Sequence, residues 1–251
     1  MRKILILSLI VLAAVYFILP TFASAQLANS PWPVFHGNPK LTGQSPYDTS
    51  KVNGTIKWKF KTEGGIETSP VIGKDGAIYI IDHKCNLYAI DSSGKEKWKF
   101  NGGEPVYTKE WNTWSCSQST PAIAQDGTIY ALTMAGNFFA VSPKGKEKWR
   151  YPIFTFKNSW SSPAIGKDGT IYVSSEAYPP TETGKSQERP GYIYALNPDG
   201  TKKWEFTNNG AGGSSSVAAV ADDGTVYLPT GEFEQSIGTF VGKLFAFNPD
   251  G

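Results

Sequence analysis

Histidine, cysteine and methionine are nearly missing from this chain, with two of each in 251 residues. His36 and His83 lie in different segments without metal-like spacing, so a histidine-built metal centre has no sequence support. No Asp-x-(Asp/Asn)-x-(Asp/Asn)-Gly loop occurs, which removes a calcium loop of that kind. Excess charge is missing too: with Arg2 and Lys3 set aside, 22 basic residues balance 22 acidic ones. A neutral surface gives no electrostatic reason to expect nucleic acid or an anionic membrane as partner. The lysines beside the tryptophans (Lys95, Lys97; Lys146, Lys148; Lys202, Lys203) read as solvated strand faces and edge protection.

The one long apolar run is N-terminal. Arg2 and Lys3 precede the 16 apolar-rich residues Ile4 to Leu19, and Ala23-Ser24-Ala25 offers a small-residue cleavage site. The run is shorter than the ~20 residues of a spanning helix. Residues 1–25 therefore read as an export signal, with an uncleaved anchor as the alternative, and no transmembrane span is expected after its removal. No cysteine follows the run, which argues against a lipoprotein anchor. The protein is expected to be exported: secreted, periplasmic or at the cell surface. Cys85 and Cys116 would then meet an oxidising environment, and a disulfide between them is expected, two separate thiols being the alternative.

What the chain has in abundance is repetition. Ser-Pro-x-Ile-x-x-Asp-Gly-x-Ile-Tyr and its variants recur from Thr68, Ser119, Ser161 and Ser215, and Trp58, Trp98, Trp149 and Trp204 recur at spacings of 40, 51 and 55. One such unit cannot bury its own apolar face, so stacked or radial units are implied. Alternating apolar residues, β-branched and aromatic, mark strands. Asp-Gly at 75–76, 126–127, 168–169 and 223–224 predicts two-residue hairpin turns with positive φ at both central positions. Ser92-Ser93-Gly94, Pro143-Lys144-Gly145, Pro198-Asp199-Gly200 and Pro249-Asp250-Gly251 mark a second turn. Each unit is thus a four-stranded antiparallel meander, strands A to D. Pro70, Pro121 and Pro163 make strand A an edge strand, because proline has no amide to donate. The tryptophan of strand D reads as a packing wedge between sheets. Four-stranded units around an axis make an all-β propeller, with blades at about 68–101, 119–152, 161–207 and 215–251 behind a leader at 26–54.

Ala-x-(Asp/Asn/Ser)-x-x-Gly-x-x-x-Trp, at Ala89–Trp98, Ala140–Trp149 and Ala195–Trp204, resembles the pyrroloquinoline quinone (PQQ)-like propeller repeat. The leader Trp32-Pro33-Val34-Phe35-His36-Gly37 is similar to the segment before the first blade of non-catalytic members. The resemblance covers nearly all of residues 31–251 and implies a seven- or eight-bladed ring. About four blades are present here. Residues 55–62 (TIKWKFKT) read as a strand D ahead of the first blade, and the fourth unit shows strands A to C only. Three arrangements follow: part of a longer ring, a four-bladed ring closed by 55–62, or a homodimer in which two chains share one ring.

Insertions fall at 101–118, 153–160, 176–191 and 231–242, all in D–A and B–C connections. In a meander these emerge on one face, where long loops on a rigid scaffold carry binding. Tyr107, Trp111, Trp114, Trp160, Tyr178 and Phe233, with Glu110, Glu232 and Glu234, are the candidates there, suited to a protein or cell-envelope polymer. Packing of these aromatics onto the propeller is the alternative. Cys85 and Cys116 fall on the same face. Their closure of a loop of about 30 residues would contribute roughly 3 kcal/mol.

The resemblance implies that a quinoprotein dehydrogenase would need PQQ, a calcium or lanthanide ion, an Asp base and an adjacent cysteine pair. No adjacent pair exists, and Glu176, Asn112 and Asp82, the imaginable ligands, read as loop or strand-end surface. Gly212-Gly213-Ser214-Ser215-Ser216 precedes a strand rather than a helix, so neither a phosphate loop nor a nucleophile elbow is implied. Asn53-Gly54-Thr55 is a glycosylation sequon. The expectation is an exported, non-catalytic propeller without cofactor, serving as a binding or assembly scaffold. A fragment of a PQQ- and calcium-dependent dehydrogenase and a purely structural surface protein are the alternatives.

Overall fold

A computed structural model describes residues 26–108, 113–116, 119–153, 161–176, 191–208, 216–234, 236–237 and 239–251. Among them every regular element is a strand. The first sheet is β1 (Val71–Ile72), β2 (Ile78–Ile81), β3 (Asn86–Ile90) and β4 (Glu96–Asn101), in that order. A two-stranded hairpin follows, β5 (Val106–Thr108) with β6 (Thr113–Ser115). The second sheet is β7 (Ala122–Ile123), β8 (Ile129–Leu132), β9 (Asn137–Val141) and β10 (Glu147–Pro152). The third is β11 (Ala164–Ile165), β12 (Ile171–Glu176), β13 (Gly191–Leu196) and β14 (Lys202–Asn208). The fourth has three strands, β15 (Ala219–Val220), β16 (Val226–Glu234) and β17 (Thr239–Phe247). All pairings are antiparallel, and β1, β7 and β11, which follow Pro70, Pro121 and Pro163, each lie at a sheet edge.

The Asp-Gly turns differ from the expected two-residue form. Only the glycine takes positive φ (75° at Gly76, 82° at Gly127), and the amide of Gly73 reaches the Ala77 carbonyl at 2.8 Å. This is a three-residue loop, a type I turn closed by a left-handed glycine. The aspartate stays right-handed because its carboxylate accepts the amide two residues on, as Asp75 does from Ala77 at 3.1 Å. The expected loop at 231–242 is likewise mostly strand: β16 and β17 run on to Glu234 and from Thr239, with Phe233 opposite Phe240. Thr230, Phe233, Phe240 and Val241 favour a pleated ribbon over an irregular excursion.

The sheets pack face to face through one joint used four times. Each strand-D tryptophan donates its indole N–H to the second turn of the following unit: Trp58 to Ser92, Trp98 to Pro143, Trp149 to Pro198 and Trp204 to Pro249, at 2.9 to 3.2 Å. The ring lies on that turn's glycine, where an added Cβ would meet indole carbons at 2.6 to 2.9 Å. Trp58 and Phe60 pack against Ile80, Tyr88 and Ile90 of the first sheet. Residues 55–62 thus sit where strand D of a preceding blade would be, and among the described residues they form no ladder with β17.

The leader runs along the inner edges. Leu27 bridges Ala124, Trp32 bridges Ile72, and the amide of Ile123 donates to Pro33. Val34 is buried among the second- and third-sheet residues Ala122, Ala124 and Ile165, and Lys40 pairs with Asp222 of the fourth unit at 2.9 Å.

Candidate functional site

The D–A and B–C connections of the first unit build a concavity of about 550 Å³, lined by Glu63, Lys84, Asn86, Asn101, Gly103, Glu104 and Pro105. Its floor is Asp82. This carboxylate, read from the sequence as strand-end surface, is fully buried. Oδ1 accepts the amides of Lys84 and Asn86 at 2.9 Å each; Oδ2 accepts the Gly64 amide at 2.9 Å, the Tyr88 hydroxyl at 3.0 Å and Asn86 Nδ2 at 3.3 Å. Five donors leave it no lone pair for a ligand, so it organises the site rather than binding. It ties the B–C turn to the entry segment at residue 64 and positions Asn86.

Asn86 Nδ2 also reaches Glu63 Oε2 at 3.3 Å, and Lys99 pairs with Glu63 Oε1. The Lys99 ammonium holds the exposed Glu63 carboxyl below its usual range, and Glu63 in turn raises Lys99. Burial first, and then the neighbouring carboxylates, raise the Tyr88 hydroxyl, which donates to Asp82 and accepts the Glu63 amide. The mouth therefore offers carboxylates, amides and the Lys84 cation: a mixed hydrogen-bonding surface without excess charge.

One covalent bond and one backbone hydrogen bond hold the walls. Cys85 and Cys116 form a disulfide, with Cα atoms 5.0 Å apart. Cys85 also occupies the left-handed turn position (φ 62°) that glycine takes in the second unit at Gly136 (φ 80°). Its carbonyl accepts the Gly102 amide at 2.7 Å, as the Gly136 carbonyl accepts that of Ile153 at 2.8 Å. The bond fastens the pocket's B–C turn to the foot of the β5–β6 hairpin.

The hairpin brings two sequence candidates together: Tyr107 and Trp114 are register partners. Phe233 lies on β16 in the fourth sheet, with Glu232 opposite Val241 and Glu234 opposite Thr239. Trp111, Glu110, Asn112, Trp160 and Tyr178 lie outside the described residues. The pocket residues Glu63, Lys84, Asn86, Asn101 and Glu104 were missed by sequence reasoning. The signal available was a break in the repeat, Asp82 standing where the second unit has Thr133 while Asn86 matches Asn137.

Among the described residues the fit to calcium and a quinone is poor. Among the described residues no group of three or more His, Cys, Asp or Glu could hold a metal ion. Asp82 is saturated, and the cysteines are bonded to each other across 31 residues.

Residues 44–190 match the family model described as outer membrane protein assembly factor BamB. A stretch of 85 residues is 31% identical to the protein YxaL of Bacillus subtilis (strain 168), covering 34% of this chain and 20% of that one. The structure is similar to quinohemoprotein alcohol dehydrogenase from Comamonas testosteroni, with a TM-score of 0.66 and 18% identity over 91% of this chain and 40% of that one. It is also similar to quinohemoprotein alcohol dehydrogenase ADHIIG from Pseudomonas putida HK5, with a TM-score of 0.65 and 15% identity over 89% of this chain and 39% of that one. At these identities the likeness is one of fold. The chain spans a fifth of the curated relative and about two fifths of each dehydrogenase.

Proposed function

The chain belongs to the BamB-type PQQ-like propeller family, and from that premise we propose that it is an exported, non-catalytic scaffold that holds a protein partner of the cell envelope on its D–A/B–C loop face. The observation that carries this reading is the disulfide-clamped polar concavity at the foot of the Tyr107/Trp114 hairpin. A rigid rim of carboxylates and amides beside paired aromatic positions suits a protein surface, where aromatic anchors and fixed hydrogen-bonding groups combine. The match to an assembly-factor family supports a protein partner over a polymer.

A photoreactive residue at Asn101 or Glu104, compared with one at the opposite-face positions Asp126 or Asp168, tests this in the exporting host. The expected result is a discrete protein adduct from the first pair only. Equal adducts from both faces, or none from the loop face, would overturn the reading. The dehydrogenase alternative predicts that PQQ with calcium raises the melting temperature, because a ligand of the native state must stabilise it; no shift is expected.

A further inference from the structure

Asparagine stands before glycine at 53–54, 101–102 and 209–210, the last pair lying outside the described residues. Such a pair can close on itself: the glycine amide nitrogen attacks the asparagine side-chain carbonyl carbon, with no Cβ on the glycine to obstruct it. Two conditions favour the reaction. The attacking amide must be free of other partners, and donors must already sit where the carbonyl oxygen gains negative charge.

Asn53 meets both. Asn53, Gly54 and Thr55 are exposed, and an added Cβ at Gly54 would meet nothing within 4 Å. Asn53 Oδ1 accepts the Thr55 amide at 3.2 Å and the Thr55 hydroxyl at 2.8 Å. The Gly54 amide has no acceptor among the described residues. Asn101 meets only one. Its Oδ1 accepts the Gly103 amide at 2.9 Å, but the Gly102 amide donates to the Cys85 carbonyl at 2.7 Å. Gly102 is buried, and a Cβ there would meet the Phe139 ring at 2.8 Å. The disulfide fixes Cys85, so attack at Asn101 requires the pocket's B–C turn to open first.

We propose that Asn53 is a site of spontaneous deamidation in the folded protein, and that the Gly102–Cys85 hydrogen bond protects Asn101 from the same reaction. The Gly54 amide gives its proton to solvent base, and its nitrogen bonds to Asn53 Cγ. The Cγ–Nδ2 bond breaks, and the nitrogen leaves as ammonia after taking a proton back from solvent. One water then opens the cyclic imide, to aspartate or to isoaspartate with the chain routed through the side-chain carboxyl. Nothing is oxidised or reduced. The leader gains one negative charge. The same conversion at Asn101 would add a carboxylate beside Glu63 and Glu104 in the concavity, so the protected pair is the one that lines it. This inference does not depend on the nature of the partner.

The test uses the exported chain, made in a host without N-glycosylation so that Asn53 keeps its amide, and held in warm, mildly alkaline buffer. Peptide mass spectrometry follows the amide-to-acid mass change at both sites, in the native chain and in denaturant, where each site supplies its own reference rate. Native Asn53 is expected to convert no more than about threefold slower than its reference, and native Asn101 at least about tenfold slower. Thr55→Val is expected to slow Asn53 about threefold by removing the hydroxyl donor, and Thr55→Ser to leave the rate unchanged. Native Asn53 slowed as much as Asn101, native Asn101 converting as fast as in denaturant, or a Thr55→Val chain no slower at Asn53 would each overturn the proposal.

Discussion

Asp82→Ala would strand the amides of Gly64, Lys84 and Asn86 together with the Asn86 and Tyr88 side chains, all of which now donate to that carboxylate. Removing the acceptor from a buried network costs more than its hydrogen bonds are worth, so a loss of about 3 kcal/mol is expected. Urea unfolding followed by circular dichroism reads it, and a loss below about 1 kcal/mol would show that the network is replaceable. The disulfide invites a finer comparison. Cys116→Ser is expected to cost about 3 kcal/mol through the opened loop. Cys85→Gly should cost about 1 kcal/mol less than Cys85→Ser, because glycine takes the left-handed turn without strain. Equal losses would mean the turn relaxes once the bond is gone. The cysteine pairing was legible in the sequence, since both residues fall in connections on one face. Asp82 was not: nothing local separates a surface aspartate from one that five donors surround, and those donors are set by tertiary placement.

At the scale of the element, the repeated joint makes a matched pair of substitutions informative. Gly76 and Gly145 have nearly the same φ, 75° and 76°. An added Cβ at Gly76 meets nothing within 4 Å, whereas at Gly145 it meets the Trp98 ring at 2.8 Å. Gly76→Ala is expected to cost about 1 kcal/mol, the conformational penalty alone, and Gly145→Ala a further 1–3 kcal/mol for displacing the wedge. Chemical denaturation of the two variants side by side checks the difference; equal costs would mean the indole yields freely. Strand order, strand A at the edge and the tryptophan wedge were readable from spacing, because alternation and turn residues are local signals. Turn type was not, since Asp-Gly serves both the two-residue and the three-residue hairpin, and the choice depends on whether the aspartate carboxylate captures the amide beyond. Residues 55–62 were recognised as a strand D, but which neighbour they contact is decided by packing against Ile80 and Tyr88.

The whole molecule has a pH window set by the same repeats. Burial, and then the nearby aspartates, push Tyr79 and Tyr172 up to about 12. A raised phenol contributes stability that is complete below the unfolded value of about 10 and is lost as pH rises towards about 12. Asp75 is held low by the Lys97 hydrogen bond; Asp168 is raised by burial but brought below its usual value by Thr170 and Lys203. Their contribution is complete above about pH 4 and lost as pH falls below it. Thermal melts from pH 2 to 12 should fall at both ends, and Lys97→Met should shrink the acid limb. The leader has a different consequence, a kinetic one. It is synthesised before its partners Ile72, Ile123 and Asp222, which follow progressively later. Pairings that distant in sequence form slowly. The leader therefore locks only after the sheets it lines, and until it does the inner edges of the first two sheets remain open to other strands.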